Sequence, residues 1–169
     1  MNHKAGDDKL IISSFFYWRC FIIRIWHWKL LPYLPDKQFC GQLHELVAIM
    51  HDWRDKGRTN HILINKVMKY PKAHLLKYFA VYSREYVARY GKHINIDIQR
   101  EFLDFCFDNQ YHYIKDNLFN GWHNNDYLKL NMCNLLEKHL GVGSSRVTDE
   151  EWNKLCEGYK LITGTEFVL

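Results

Sequence analysis

Only three prolines, Pro32, Pro35 and Pro71, interrupt this chain of 169 residues. Between and beyond them, apolar side chains recur mainly at helical spacing. No alternating strand pattern lasts more than a few residues. Such a chain has one economical solution, amphipathic helices packed on each other. The expectation is an all-α, single compact domain of four or five helices. A hydrophobic share of 47% and a charged share of 25% are those of a globular chain. At this length one core forms without disulfide or metal staples.

Local signals divide the chain. Pro32 and Pro35 turn it, and Asp36 is placed to cap a helix over about 37–52. Phe39, Leu43, Leu46, Val47 and Met50 form the inward face of that helix. Gln38, Gln42 and Glu45 fall on another face, one suited to a cleft. Residues 53–60 read as a basic loop around Gly57, and 61–69 as a short helix. Pro71 opens a helix that stops at Gly91. Asp97 to Asp108 is a further helix with Ile98, Phe102, Phe105 and Cys106 inward. Residues 109–122 read as loop or broken helix. Asn124 or Asn125 caps a helix to His139, closed by Gly141. Thr148 and Glu151 form a capping box for a last helix to about Tyr159. The organisation read from this is a leader over 1–22, a helical domain over 23–160 and a tail over 161–169.

Charge is unevenly spread. Residues 52–93 carry 10 basic and 3 acidic side chains, whereas 94–169 carry 7 basic and 12 acidic. Two arrangements fit: the basic block meets a polyanion such as nucleic acid, or it pairs with the acidic end inside the fold. Within it, Arg54, Lys56 and Arg58 are candidate phosphate contacts. Lys66, Lys69, Lys72 and Lys77 read as exposed helix faces, and Trp26 and Trp28 as core.

Five scattered cysteines without a C-x-x-C pair read as reduced thiols of a cytoplasmic protein. No metal site follows from them or from the ten histidines, and the WHNND segment at 122–126 reads as a helix start. No cofactor fingerprint is present. Residues 10–34 are strongly apolar, but Arg19, Arg24 and Lys29 argue against a membrane-spanning helix. Docking of residues 10–31 on a membrane surface is the weaker alternative. Oligomeric state is not legible.

One stretch says more. Residues 24–46 read RIWHWKLLPYLPDKQFCGQLHEL, followed by NHILINKVMKYPKAHL at 60–75, HNNDYLKLNMCNLLEKH at 123–139 and EEWNKL at 150–155. This pattern resembles the pyrimidine-dimer DNA glycosylase family of the endonuclease V type, and its uncharacterised bacterial branch most of all. Members open with Met, Arg, Leu or Ile, Trp, His and continue to a Gly-Gln-x-Arg-Glu-Leu motif. The resemblance implies an all-α fold and a DNA-repair glycosylase/AP lyase acting on damaged or abasic duplex DNA without a cofactor. In that chemistry an N-terminal α-amine forms a Schiff base and a glutamate assists. An α-amine suits the task because its pKa of about 8 leaves more free base at neutral pH than lysine at about 10.4.

Carried over by the resemblance, Glu45 takes the place of the catalytic glutamate and Arg24 that of the basic residue beside the N-terminus. Ile23 takes the place of the chain start, a role it fills only as a free amine. His44 stands in the place of the motif arginine, without that residue's fixed charge or bidentate fork. Ala48 stands where phage members carry another arginine. The alternative implied is a catalytically inactive DNA-binding or interaction protein on the same scaffold.

Overall fold

In a computed structural model, the described residues are 24–107, 114, 117–141, 143 and 145–169. The leader and Ile23 lie outside them. The chain enters as an extended segment, Arg24 to His27, and coils into a 3-10 helix, Trp28–Tyr33. Six α-helices follow: α1 (Asp36–Lys56), α2 (Ile62–Val67), α3 (Lys72–Tyr90), α4 (Ile96–Cys106), α5 (Asn125–Leu140) and α6 (Asp149–Thr163). Five of these exceed two turns, as the periodicity predicts. Short α2 and the 3-10 helix complete the set, and no strand occurs among the described residues.

Punctuation residues set the boundaries. Pro35 precedes α1 and Pro71 precedes α3, where a missing N–H costs nothing. The carboxyl of Asp36 does not cap. It accepts instead from Arg89 Nη1 at 3.2 Å and Tyr90 Oη at 3.3 Å, tying α1 to the end of α3. Asn95 and Asn124 cap α4 and α5 through their side-chain oxygens. Thr148 and Glu151 form the full capping box of α6. Gly57 and Gly91 end α1 and α3 with φ of 60° and 63°, a region an L side chain enters at a cost.

Two helices outrun their sequence-predicted ends. Helix α1 continues to Lys56 because Trp53 packs edge-on against Phe105, 5.6 Å between ring centres. Helix α6 continues to Thr163, and Phe167 folds back on Trp152 and Tyr159. The final residues are therefore partly packed.

The core lies where the extended segment and the 3-10 helix are enclosed by the longer helices. Ile25, Leu30, Leu31, Phe39, Tyr78, Tyr82 and Leu135 are fully buried there. Helix α6 crosses the 3-10 helix so closely that a Cβ on Gly158 would lie 2.6 Å from ring carbons of Tyr33. Trp26 is core as expected and Trp28 is half-buried against it.

The lysines of the basic block are less exposed than the sequence predicts. Lys72 Nζ donates to Phe105 O at 3.0 Å and lies 4.1 Å from the Phe105 ring centre. Lys77 Nζ donates to Ile114 O at 2.6 Å. Lys66 covers Trp122, 4.6 Å from the ring centre. Of the four only Lys69 is exposed, and it lies in the turn after α2 rather than on a helix face. Long stems lie on apolar surface while the ammonium groups find carbonyls or rings.

Candidate active site

The extended segment has no strand neighbour, so its backbone groups must find side-chain partners. Helix α1 supplies them on one side. Gln42, fully buried, accepts from Trp26 N at 2.8 Å and donates to Arg24 O at 3.1 Å. Tyr78 of α3 donates to Trp26 O at 2.8 Å, with Gln42 Oε1 also 3.1 Å away. Helix α5 supplies them on the other side. Tyr127 donates to Ile25 O at 2.5 Å, and Asn131 accepts from His27 N at 2.6 Å. The segment is thus clamped among three helices through its own peptide groups.

Two stacked histidines finish the clamp. His27 Nδ1 accepts from Lys29 N at 3.3 Å, which leaves its Nε2–H to donate to His123 O at 3.0 Å. His123 Nδ1 accepts from Trp28 N at 3.3 Å, and the rings stack 5.1 Å apart. Both rings serve as acceptors and hence are neutral. Burial pulls His27 down to about 4. Burial, and then the neighbouring His27 and Lys66, pull His123 down to about 2. The WHNND segment is the start of α5, as its composition predicts. Among the described residues no three His, Cys, Asp or Glu side chains gather as a metal site.

Glu45 lies one turn beyond Gln42 on α1, half-buried beside the segment. Gln42 Nε2 lies 3.4 Å from Glu45 Oε2, and the backbone amide of Arg24 is hydrogen-bonded to the carboxyl. Burial lifts Glu45 to about 8, against the smaller opposing pull of that amide and of the cations Arg24 and Lys138. At neutral pH it therefore holds a proton and releases it when positive charge appears nearby.

Lys138 was not singled out by sequence. It stands in the last turn of α5, and with Arg24, Asn134 and Arg146 it lines an open cleft of about 220 Å³. Burial, and then Arg24, lower its pKa, while Glu45 opposes the change. The signal was there: Tyr127, Asn131, Asn134 and Lys138 recur at i, i+4, i+7 and i+11, one polar stripe on α5.

The other sequence candidates fall apart from this cluster. His44 is exposed and, as Glu45's sequence neighbour, points about 100° away around α1. Arg54 lies nine residues along α1, roughly 14 Å by helical rise. It pairs with Asp55 at 2.8 Å and Glu101 at 2.6 Å, and His51 shares the same Glu101 oxygen at 2.9 Å. Lys56 pairs with Asp52. Arg58 is exposed and in no ion pair among the described residues. Ion pairs of the basic block are mostly local, with Arg54–Glu101 reaching into the acidic part. Gln38 and Gln42 do not face an open cleft: Gln38 is buried and donates to Ser145 O at 3.0 Å.

Comparison with known proteins agrees with the resemblance read from sequence. The family model described as pyrimidine dimer DNA glycosylase matches residues 23–98, a span that opens at the clamped segment and includes Glu45. No curated protein and no solved structure matches the chain. No helix among the described residues is long and apolar enough to cross a membrane.

Proposed function

We propose that this chain, alike in residues 23–98 to the pyrimidine dimer DNA glycosylases, is a glycosylase/AP lyase acting on damaged or abasic duplex DNA within the cell. One observation carries the reading: the half-buried carboxyl of Glu45, lifted by burial to about 8, is hydrogen-bonded to the backbone amide of Arg24. That amide nitrogen is three bonds from the nitrogen of residue 23, no more than about 3.6 Å. An α-amine at Ile23, where the domain is proposed to begin, would by covalent geometry alone be within reach of the carboxyl.

The reaction needs no cofactor. A free amine attacks C1′, and on a damaged nucleotide the bond from C1′ to the base breaks; the C1′–O4′ ring bond then opens, O4′ taking the proton that the nitrogen sheds, and the iminium forms. At an abasic site the carbonyl oxygen leaves as water instead. Glu45 in its acid form gives a proton to the departing group and becomes the carboxylate that faces the iminium cation. Loss of the C2′ proton then expels the 3′ phosphate and nicks the strand. Water finally releases the sugar fragment and restores the amine. Arg24 and Arg58 are proposed phosphate contacts. His44, Arg54 and Lys56 join them once DNA competes for the charges they now share.

Glu45→Gln removes the proton donor and keeps the shape. Nicking of abasic duplex is expected to disappear while DNA affinity stays nearly intact. A variant that nicks as fast as the parent would refute the role. A protease site placed before Ile23 in the full chain frees the α-amine, and trapping by borohydride should then mark Ile23.

The second reading, a DNA-binding scaffold without lyase chemistry, is favoured by His44 and Ala48 in place of two family arginines. It predicts salt-sensitive DNA binding and no covalent adduct before or after cleavage.

A further inference from the structure

A second amine lines the cleft walled by Arg24, the residue whose backbone amide holds Glu45. Helix α5 runs alongside the extended segment through Tyr127 and Asn131, and its same polar stripe ends at Lys138. Lys138 and Arg24 share the walls of the 220 Å³ cleft, and both cations oppose the rise in the Glu45 pKa. The cleft is open to solvent and has room for a sugar ring. Arg146, exposed on its rim, is placed to hold a phosphate.

We infer that Lys138 is the Schiff-base nucleophile whenever Ile23 is in peptide linkage, so that the full chain has its own lyase amine. The inference rests on the lyase reading above and names a different nucleophile for it. Lys29, the lysine nearest the segment in sequence, is exposed and lies over Trp28, 5.6 Å from the ring centre.

The electrostatics fit a working amine. Arg24 is a permanent cation beside Lys138, and partial burial also disfavours the ammonium. The group that would favour the ammonium, Glu45, is largely protonated at neutral pH. Burial and Arg24 thus raise the free-base share of Lys138, the form that attacks.

In the step itself, Lys138 Nζ bonds to C1′ of the open-chain abasic sugar. Glu45 protonates the hydroxyl of the resulting carbinolamine, which leaves as water, and the nitrogen lone pair closes the iminium. The Glu45 carboxylate then takes the C2′ proton. Those electrons form a C=C bond as the C3′–O bond breaks, and the phosphate departs with the electron pair. Hydrolysis of the imine returns Lys138, and no oxidant or reductant is consumed.

The test uses the full chain, an abasic duplex and sodium borohydride, which delivers hydride to the iminium carbon and fixes the link. The adduct is digested and its site mapped by mass spectrometry. The expected result is sugar on Lys138, and a loss of more than about 10³-fold in trapping for Lys138→Arg. Arginine keeps the charge but cannot form the imine, so duplex affinity should stay within about threefold. An adduct mapped elsewhere, or equal trapping by Lys138→Arg, would overturn the assignment. Trapping only after cleavage before Ile23 would also overturn it, and would leave the α-amine reading standing. No adduct from either form would remove both. Mapping on the parent chain decides the matter even if the variant does not fold.

Discussion

Glu45 should weaken the fold it serves, and by an amount that depends on pH. Its carboxyl holds a proton to about 8 in the folded chain, against 4.5 for an ordinary glutamate. Between those values the unfolded chain has released a proton that the native state retains. Unfolding then releases a proton, so stability falls as pH rises, by about 1.4 kcal/mol per pH unit for one proton. The full cost of burying the carboxylate is reached above pH 8 and is about 5 kcal/mol. Glu45→Gln carries no titrating group and can still accept from the Arg24 amide. Relative to the parent, it should therefore gain about 2.5 kcal/mol between pH 6 and pH 9. Urea unfolding of both proteins at half-unit pH steps measures this as a diverging pair of midpoints. A difference that stays constant over the range, or one that shrinks as pH rises, would refute the reasoning. It would mean that Glu45 is hydrated or already ionised in the native state. The variant expected to be most stable in alkali is also the one expected to lose the chemistry, the usual tension at an active site.

The buried histidines carry the opposite sign. His27 and His123 are neutral in the fold to about 4 and about 2 but protonate near 6.5 when unfolded. In the Glu45→Gln background, stability should therefore fall as pH drops from 6.5 to 5, approaching about 2.7 kcal/mol per pH unit for two protons. A flat urea midpoint across that range would contradict it. Gly158→Ala forces a methyl against the Tyr33 ring and should cost about 1–3 kcal/mol. An unchanged midpoint would show that α6 moves off the 3-10 helix freely. For DNA binding, Arg24→Ala and Arg58→Ala should each lower the slope of log K against log salt by about 1. Arg54→Ala should lower it less, because Asp55 and Glu101 already hold that guanidinium. A larger effect at Arg54 than at Arg58 would reverse the assignment of the basic loop.

Much of this molecule was legible in its sequence because helices announce themselves locally. Asn124, the Thr148–Glu151 box and Gly91 mark element ends that depend on a few neighbouring residues. Glu45 was legible through a motif. The cleft was not, because Arg24 and Lys138 are 114 positions apart and nothing near either announces the other. The stripe from Tyr127 to Lys138 could be read as a polar face of α5, but not what it faces. Lys72 and Lys77 misled for a related reason: a lysine looks exposed until the carbonyl that accepts its hydrogen bond, here Phe105 O or Ile114 O, is in place. The overrun of α1 to Lys56 came from a tertiary contact, Trp53 on Phe105, that overrode a polar, glycine-containing stretch.

The buried polar network explains why an extended segment can lie in the middle of a helical protein at all. Each of its peptide groups would cost about 1–3 kcal/mol if buried without a partner. Gln42, Tyr78, Tyr127, Asn131 and His123 answer five of them from three helices and the turn before α5. An apolar clamp of the same shape would strand those groups, so the polar residues are what the segment's conformation requires. The consequence for chemistry is rigidity. Arg24 cannot shift without breaking the Gln42 bond to its carbonyl, and Glu45 is hydrogen-bonded to the amide of that same residue. A carboxyl fixed at the start of the domain, in a site dry enough to keep its proton, is set against whichever amine reaches it. Two amines are proposed for it, the α-amine of Ile23 and Lys138 of the cleft that Arg24 lines. Cleavage before Ile23 would exchange one for the other while leaving the described scaffold intact.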